Sequence, residues 1–314
     1  MIFCFPLWMD TTGIAGGIHS LIIEVLRVRR EYFMNNTNRK FPVGLSTCGS
    51  KPLDEAAFIQ MKNAGIEALE LSAASYDGFD FHAIKALCDR FDIKLWSLHL
   101  PFGPFSEIDP SSLDGTVREN TLAFFEGLIR HGAEAGITKF IVHPSGEPIT
   151  DTERPERMKY AMESLDQLAQ IAATCGAVIA VEDLPRTCLG NTAADILQLL
   201  SANDKLRVCF DVNHLLTEDN CEFVEKVGSK IITTHISDYD FIDEKHWLPG
   251  EGDIQWDKLF NALCNANYQG VWMYELGFEP GKSIDRRTLT YSDFRENADA
   301  IFSGQKPAAI GTRK

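Results

Sequence analysis

Histidines and carboxylates recur where short apolar runs of the sequence end. In chain order, the residues at or just past these ends are Glu70, His99, His143, Glu182, Asp211, His214, His235 and Glu275. Burying so many ionisable groups without a counter-charge is costly, and a divalent cation removes that cost. One imidazole with three carboxylates suits Mn²⁺, Mg²⁺ or Co²⁺, whereas a site richer in imidazole suits Zn²⁺. The pattern predicts a site for one divalent metal, provided that the fold brings the run ends together.

The apolar runs have the length and boundaries of buried parallel strands. They are "VGLST" (43–47), "EALELS" (67–72), "IKLWSLHLP" (93–101), "KFIVHPS" (139–145), "AVIAVEDLP" (177–185), "LRVCFDVNH" (206–214), "IITTHISD" (231–238) and "GVWMYELGF" (270–278). Helix-like stretches such as 54–65 and 156–176 lie between the runs. The alternation predicts a single-domain (β/α)₈ TIM barrel over residues 41–303, with its chemistry at the C-terminal strand ends. A doubly wound sheet is the alternative, but the segment "STCGSKP" after the first run lacks a glycine-rich phosphate turn.

The alternation of side chains along each strand predicts which residues fill the barrel. Counting back by twos from the strand-end residues gives mostly small or apolar positions, namely Val178, Ala180, Cys209, Thr233, Ile231, Ser97, Leu95, Met273 and Val271. The same parity directs Trp96 and Trp272 toward the helices. The polar strand-end residues then point inward, at the top of a packed core.

Composition restricts the partners and the compartment. The chain has 314 residues and carries 30 Lys and Arg against 45 Asp and Glu, a net charge of −15. This balance argues against non-specific attraction to nucleic acid or to an anionic membrane. No run reaches the ~18 apolar residues of a membrane span. The 8 cysteines include no CxxC pair, which predicts reduced thiols in a cytoplasmic protein. A homodimer is left open.

The two ends of the chain differ from the barrel. Residues 1–40 are predicted to form an N-terminal extension, of which 1–33 are a start-site artefact or a loosely docked segment. Residues 304–314 are polar and contain Gly and Pro, which predicts a flexible tail.

Seven short segments, taken together, resemble the xylose-isomerase-like barrel superfamily. They are "SLHLP" (97–101), "VHPS" (142–145), "VEDLP" (181–185), "FDVNH" (210–214), "HISD" (235–238), "HWLPGEGDIQW" (246–256) and "YELGF" (274–278). That group includes sugar and sugar-phosphate isomerases and epimerases, and the apurinic endonucleases that share the barrel. Each segment is weak alone, but their order and spacing around eight strands make the set specific.

The resemblance implies a metal-dependent isomerase or epimerase acting on a sugar or sugar phosphate. It implies a metal held by Glu182, Asp211, His235 and Glu275, and the two glutamates double as acid–base catalysts. The substrate then passes through an enediolate after a carbon next to its carbonyl loses a proton. The resemblance also implies that His214 binds substrate or a further metal.

The other polar residues of the predicted rim are candidates for substrate binding. With His214 they are His99, His143, His246, Glu70 and Trp247. Glu70 could bind a substrate hydroxyl, orient a ligand histidine or form a salt bridge to a neighbouring strand. Trp247 could stack on a sugar ring or simply pack. Ketose epimerases of the group usually carry an arginine shortly after the strand-seven histidine, and no arginine occurs here between Arg207 and Arg286.

Two rival functions are kept. One is a zinc-dependent, apurinic-endonuclease-type phosphodiesterase. The resemblance implies that its zinc ligands would be His99, His143, Glu182, Asp211, His214, His235 and Glu275, together with Glu244 and His246. Against it, the loop after the third run, "FGPFSEIDPSSLDG", is acidic and has no Lys or Arg, whereas DNA binding draws several cations to the phosphates. The other rival is a barrel that binds a sugar or polyol without turnover.

Overall fold

The predicted barrel is present in the structure, a computed structural model that describes residues 40–48 and 53–314. Within these residues, eight parallel strands alternate with eight helices. The strands are β1 (Val43–Ser46), β2 (Ala68–Ser72), β3 (Lys94–His99), β4 (Lys139–Val142), β5 (Val178–Glu182), β6 (Arg207–Asp211), β7 (Ile231–His235) and β8 (Trp272–Tyr274). The helices are α1 (Glu55–Ala64), α2 (Phe81–Phe91), α3 (Gly115–Glu134), α4 (Arg154–Thr174), α5 (Ala193–Leu200), α6 (Asn220–Val227), α7 (Trp256–Asn265) and α8 (Tyr291–Phe302). The (β/α)₈ fold class is therefore confirmed.

The helices begin at residues that suit a helix N-terminus. Asp54, Asp80 and Asp114 each accept a hydrogen bond from a backbone N–H of the first turn, at α1, α2 and α3 respectively. Such capping satisfies donors that have no partner inside the helix. Gly65 ends α1 with a φ of 78°, a left-handed conformation that glycine adopts without strain. These local signals fix where each helix leaves and rejoins the barrel.

Neighbouring strands pair in sequence order from β1 to β7, and β8 pairs with β1. A parallel bridge between Ile236 and Tyr274 joins the two ends of the sheet just beyond β7. The Ile236 N–H donates to Met273 at 2.7 Å, and the Glu275 N–H donates back to Ile236 at 3.1 Å. The barrel is thereby closed, and the C-terminal ends of all the strands meet on one rim.

The core has two layers. The large one lies between barrel and helices and contains residues such as Leu69, Leu98, Phe140 and Trp272. Two small clusters fill the barrel itself. Their buried members are Ala68, Trp96, Val271 and Met273 in one, and Ile141, Ala180 and Cys209 in the other. A Cβ on Gly44 of β1 would lie 2.6 Å from the Val271 side chain, so the interior at this level has no room for a larger residue.

Strand parity predicts the interior correctly except next to two β-bulges. One interrupts the β2–β3 register between Leu69 and Glu70, so Trp96 enters the barrel and Leu95 joins the helix-side core. The other interrupts the β6–β7 register at Val208 and Cys209, and Ile231 joins the helix-side core. The predictions for these three side chains are wrong because a bulge adds one residue to a strand and reverses the parity beyond it.

The C-terminal segment, for which the sequence predicts a flexible tail, contains a short strand. Strand β10 (Thr312–Arg313) pairs in antiparallel fashion with β9 (Ile284–Asp285), which lies between β8 and α8. Arg313 also pairs with Asp253 at 2.7 Å. Backbone pairing and this ion pair are contacts that composition does not reveal, and the flexibility of the tail stays a prediction. The predicted extension, residues 1–40, lies outside the described residues except for Lys40.

Two further expectations concern single features. Every cysteine in the described part of the chain is a free thiol, as predicted. Within residues 40–48 and 53–314, no helix combines the length and apolar character needed to cross a membrane.

Candidate metal centre

Glu182 ends β5 and lies at the centre of a buried cluster of ionisable side chains. Its Oε2 contacts His99 Nε2 at 2.9 Å and His143 Nε2 at 3.1 Å. Its Oε1 contacts His235 Nδ1 at 2.8 Å. The side chain is 1% exposed. A single carboxylate thus joins residues from the ends of β3, β4 and β7.

Four adjacent strands, β5 to β8, each contribute one donor to the same point. Glu182, Asp211, His235 and Glu275 offer ligand atoms that all lie within 4.8 Å of one another. His235 Nδ1 is 3.2 Å from Glu275 Oε2 and 3.8 Å from Asp211 Oδ2. Asp211 Oδ2 is buried and has no hydrogen-bond partner. An unpartnered carboxylate oxygen aimed at three other donors fits a bound divalent cation.

The other ring nitrogen of His235 contacts a buried carboxylate on the side away from the four-donor group. His235 Nε2 lies 2.9 Å from Glu70 Oε1, and Ser97 Oγ donates to Glu70 Oε2 at 2.6 Å. Both Glu70 and His235 are fully buried. A carboxylate behind a histidine fixes the ring and directs its second nitrogen toward a metal. Among the alternatives for Glu70, the geometry matches the one in which it orients a ligand histidine.

Two further groups of donors flank the first. His99, His143 and Glu182 form one, and His214, Glu244 and His246 form the other. His214 Nε2 connects the second group to the centre, because it lies 3.5 Å from Asp211 Oδ2 and 3.6 Å from Glu244 Oε1. The structure therefore brings all the strand-end histidines and carboxylates together, as the sequence predicts.

Backbone carbonyls fix the orientation of three of these histidines. The Nδ1 atoms of His99 and His214 lie 2.7 Å from the carbonyls of Leu100 and Asp183, and Nδ1 of His246 lies 3.2 Å from that of Glu275. A carbonyl only accepts, so Nδ1 must carry the proton. In a neutral ring the Nε2 lone pair is then free, which is the arrangement of a metal-ligating imidazole.

The proton affinities of the cluster reflect the same crowding. Burial lowers the pKa of His214, but Asp211 and Glu182 more than offset this and raise it to about 9. Burial raises the pKa of Asp211 well above its usual value, against the effect of His214 and with the help of Glu275. Burial alone would raise the pKa of Glu275, but the charge of His235 has the larger effect, and the net result is a lowered pKa. Protons on these side chains thus offset the negative charge of the carboxylates. A bound cation would offset the same charge in their place.

A cavity of about 400 Å³ opens above the cluster. Glu182 and Glu275 line it, as do His99, His143, His214 and His246, whereas Asp211 and His235 do not. The exposed ring of Phe102 stacks on His143 with a centroid separation of 4.4 Å and forms an apolar wall. The volume suits a small molecule.

Arg186 crosses the mouth of this cavity and joins three loops. It lies in the loop after β5 and donates through Nε to Glu147 at 3.0 Å, in the loop after β4. Its Nη1 donates to Asp243 at 2.9 Å and lies 3.3 Å from Glu244. Sequence reasoning missed Arg186, Glu147 and Phe102. The available signal was their position directly after strand ends, in loops that must line the rim.

The structure does not bring Trp247 to the cavity. Trp247 is 3% exposed, and its Nε1 donates to Ser283 at 3.0 Å. Its backbone forms an antiparallel bridge with Asp238, and the guanidinium of Arg313 in the C-terminal segment lies 5.2 Å from the centroid of its ring. The geometry thus matches the packing alternative for this residue.

A comparison of the sequence with known families identifies the family of the chain. Residues 58–291 match the family described as "Xylose isomerase-like TIM barrel". The chain belongs to this family. The match covers every strand from β2 to β8 and therefore includes the whole four-donor group.

Individual relatives within the family are distant. An uncharacterized protein of Methanocaldococcus jannaschii is 29% identical over 197 residues, which are 60% of this chain and 66% of that protein. A D-psicose 3-epimerase of Ruminiclostridium cellulolyticum is 25% identical over 253 residues, which are 75% of this chain and 82% of the epimerase. Among solved structures, a D-psicose 3-epimerase with D-tagatose from Clostridium cellulolyticum superposes with a TM-score of 0.68 at 21% identity, over 85% of this chain and 100% of that one. At that identity the superposition supports the fold alone.

Proposed function

We propose that this protein is a divalent-metal-dependent epimerase or isomerase of a sugar or sugar phosphate. The observation that supports it best is the group of Glu182, Asp211, His235 and Glu275 beneath a cavity of small-molecule size. The similarity to a D-psicose 3-epimerase over 82% of its length favours epimerisation over isomerisation. The particular sugar, and whether it is phosphorylated, are left open.

The four donors divide into two pairs with different access to the cavity. Asp211 and His235 lie beneath it and would only hold the cation, whereas Glu182 and Glu275 also line the cavity. A Mn²⁺, Mg²⁺, Co²⁺ or Zn²⁺ ion held there supplies positive charge that stabilises negative charge developing on substrate oxygens. Glu182 and Glu275 are therefore the residues that we assign to proton transfer.

Glu182 and Glu275 are ionised, as a group that accepts a proton must be. Burial tends to raise the pKa of Glu182, but His235 and His143 hold it well below its usual value, and His235 does the same for Glu275. Both side chains are therefore carboxylates that can accept a proton from a carbon next to the substrate carbonyl. One removes the proton and the other, or the same one, returns it. Two carboxylates on different strands could act on opposite faces of that carbon, which inversion requires.

The other cavity residues would hold the sugar. The rings of His99, His143, His214 and His246 present nitrogen atoms that can bond to hydroxyl groups. Phe102 provides an apolar surface for the C–H face of a sugar. These roles are part of the proposal.

Solvent exchange tests the proposal most simply. The metal-loaded protein is incubated in D₂O with a panel of ketohexoses and their phosphates, and NMR follows deuterium entering next to the carbonyl. We expect exchange with at least one sugar and loss of about 10³-fold in Glu182→Gln. Glu163→Gln, at an exposed site on α4, serves as the matched control. Exchange that is absent throughout, or unchanged in Glu182→Gln, would contradict the proposal.

A second candidate function is favoured by the two flanking donor groups. Three groups that share or adjoin Glu182 and Asp211 could hold three zinc ions, as an apurinic-endonuclease-type phosphodiesterase would require. The rim opposes it, because Glu147, Asp243 and Glu244 surround Arg186 there and would repel phosphates. Incision of a duplex containing one abasic site, assayed with zinc, separates the two functions.

A further inference from the structure

Asn213 follows β6 and supports the metal centre through its backbone. It lies two residues beyond Asp211 and is fully buried. Its backbone N–H donates to Asp211 Oδ1 at 2.7 Å. The other carboxylate oxygen, Oδ2, has no hydrogen-bond partner and lies 3.8 Å from His235 Nδ1. The backbone of Asn213 therefore fixes the orientation of one donor of the centre.

The side chain of Asn213 binds the backbone of a different segment, the loop after β7 (residues 236–255). Its Oδ1 accepts from the Lys245 N–H at 3.1 Å and from the His246 N–H at 3.5 Å. A backbone N–H can only donate, so the oxygen of the amide must be the atom that faces both groups. One side chain thus binds two consecutive peptide groups of the loop.

The backbone of His246 has a conformation that needs support. Its φ is 49°, which lies in the left-handed region that few residues other than glycine adopt. Such a residue keeps this conformation where surrounding contacts hold it. The N–H of His246 is itself one of the two groups that Asn213 binds.

The path of this loop sets where two side chains of the cavity lie. The side chains of His246 and Glu244 both line the cavity, and neither residue belongs to a strand. His246 Nδ1 lies 3.2 Å from the carbonyl of Glu275, and Glu244 Oε1 lies 3.6 Å from His214 Nε2. A change in the loop backbone would therefore move groups that face a bound substrate.

The same loop is also held on both sides of the segment that Asn213 binds. On one side, Arg186 Nη1 donates to Asp243 at 2.9 Å. On the other side, Trp247 and Asp238 exchange backbone hydrogen bonds of 2.7 and 3.0 Å. Loss of the Asn213 side chain should therefore release only a short stretch of the loop and leave the barrel folded.

We propose that Asn213 is a positioning residue that holds the backbone of Lys245 and His246 and so presents the His246 ring to the substrate. Asn213 does not line the cavity, so it acts through His246. The kinetic part of this inference rests on the proposed function, which assigns His246 to sugar binding. Loss of the Asn213 acceptor should weaken sugar binding and leave the proton-transfer step nearly unchanged.

Two substitutions of similar size separate the acceptor from the rest of the side chain. Asn213→Leu removes the acceptor. Asn213→Asp keeps an oxygen for both N–H groups and loses only Nδ2, which is buried and has no hydrogen-bond partner. Asn120→Leu makes the same change as the first variant at an exposed position on α3 and is the matched control.

Histidine NMR tests the positioning without any activity. The full chain is produced with isotope-labelled histidine and kept in Mg²⁺, and the ring signals of His246 are assigned by their loss in His246→Gln. Asn213→Leu should shift or broaden these signals, whereas Asn213→Asp and Asn120→Leu should resemble the wild type. Unchanged His246 signals in Asn213→Leu would overturn the proposal. If that variant does not fold, Asn213→Ser, whose side chain is too short to keep the acceptor in place, gives the same comparison.

Kinetics at saturating metal separate this proposal from the proposed function. With a sugar on which the wild type exchanges deuterium, KM should be about tenfold higher in Asn213→Leu, with kcat within about twofold, and Asn213→Asp should restore KM. A wild-type KM in Asn213→Leu would contradict the proposal and leave the proposed function intact. If the wild type exchanges no sugar, the proposed function fails, and the NMR comparison still decides the role of Asn213.

Discussion

The two ends of this barrel treat charge in opposite ways. At the C-terminal end, Glu70, Glu182, Asp211 and Glu275 are buried around His235. At the N-terminal end, apolar side chains such as Met273 and Val271 fill the interior, and the charged groups of Lys94 and Lys139 lie against the ring of Trp96. The same eight strands therefore have a charged layer at their C-terminal ends, the upper layer, and an apolar layer toward their N-terminal ends, the lower layer.

The difference separates the layer that stabilises the fold from the layer that we propose for metal binding and chemistry. Apolar burial needs no counter-charge, whereas each buried carboxylate must be offset by a proton, a cation or a hydrogen bond. The upper layer is offset only in part without a metal, as the unpartnered Asp211 Oδ2 shows. We therefore expect substitutions in the upper layer to change metal binding and activity, and substitutions in the lower layer to change stability.

The largest effect should come from removing the charge of Glu182. Glu182→Gln keeps the size of the side chain but loses the anion that contacts His99, His143 and His235. We expect proton exchange on the sugar to fall by about 10³-fold, with a circular dichroism spectrum like that of the wild type. Glu163→Gln should leave both unchanged. Full activity in Glu182→Gln would place proton transfer elsewhere.

Glu70→Gln tests the support behind the centre. An amide cannot offer His235 Nε2 the same charged acceptor, so the ring is held less firmly and is a poorer ligand. We expect metal affinity, measured by competition with a chelating dye, to fall by about 10- to 100-fold. Glu126→Gln, on the exposed surface of α3, is the control. Unchanged affinity would show that Glu70 is merely a buried ion-pair partner.

Arg186→Gln tests the contacts across the cavity mouth. Arg186 joins Glu147 to Asp243 and Glu244, so its loss should free the loops after β4 and β7. We expect a KM about tenfold higher and a small change in kcat, since the contribution is to binding. Arg130→Gln removes an exposed pair on α3 and serves as the control. An effect on kcat alone would instead indicate a role in the reaction step.

The smallest effect should appear at the lower end, as a pH dependence of stability. The pKa of Lys139 is lowered from 10.5 to about 8 in the folded chain, so between these values the unfolded chain binds more protons. This shift corresponds to at most about 3 kcal/mol, and solvent screening of the partly exposed ammonium group reduces the effect that we expect. The stability of the wild type relative to Lys139→Met should therefore rise by about 1 kcal/mol from pH 8 to pH 10.5 and stay constant below pH 8. Urea unfolding in buffers free of phosphate measures this. A difference that does not vary with pH would contradict the lowered pKa.

The fold and the convergence of the strand-end residues on one rim could be predicted because both rest on local patterns, whereas the choice of four donors among them is what the family resemblance implies. Apolar runs separated by helices specify the barrel, and the parity of Met273 and Ala180 correctly predicts the inward direction of Glu275 and Glu182. Side chains at the ends of neighbouring parallel strands must then meet.

The features that sequence reasoning missed depend on register and on loop paths. Trp96 enters the barrel because a bulge shifts the β2–β3 pairing, and nothing in the local sequence requires a bulge there. Arg186 reaches the loops after β4 and β7 from a backbone with a φ of 51°, a conformation rarely expected for arginine. Trp247 is buried because its segment pairs with Asp238. These are tertiary contacts between segments distant in sequence.

Metal content per chain tests the central claim, that the upper layer is built around a divalent cation. Protein purified without chelators or metal-affinity resin is analysed by elemental mass spectrometry, in the wild type and in Glu275→Gln. We predict about one equivalent of Mn, Mg, Co or Zn in the wild type and a clear loss in the variant. About three equivalents of zinc would favour the phosphodiesterase instead. No metal, even after soaking with each of these ions, would contradict the account.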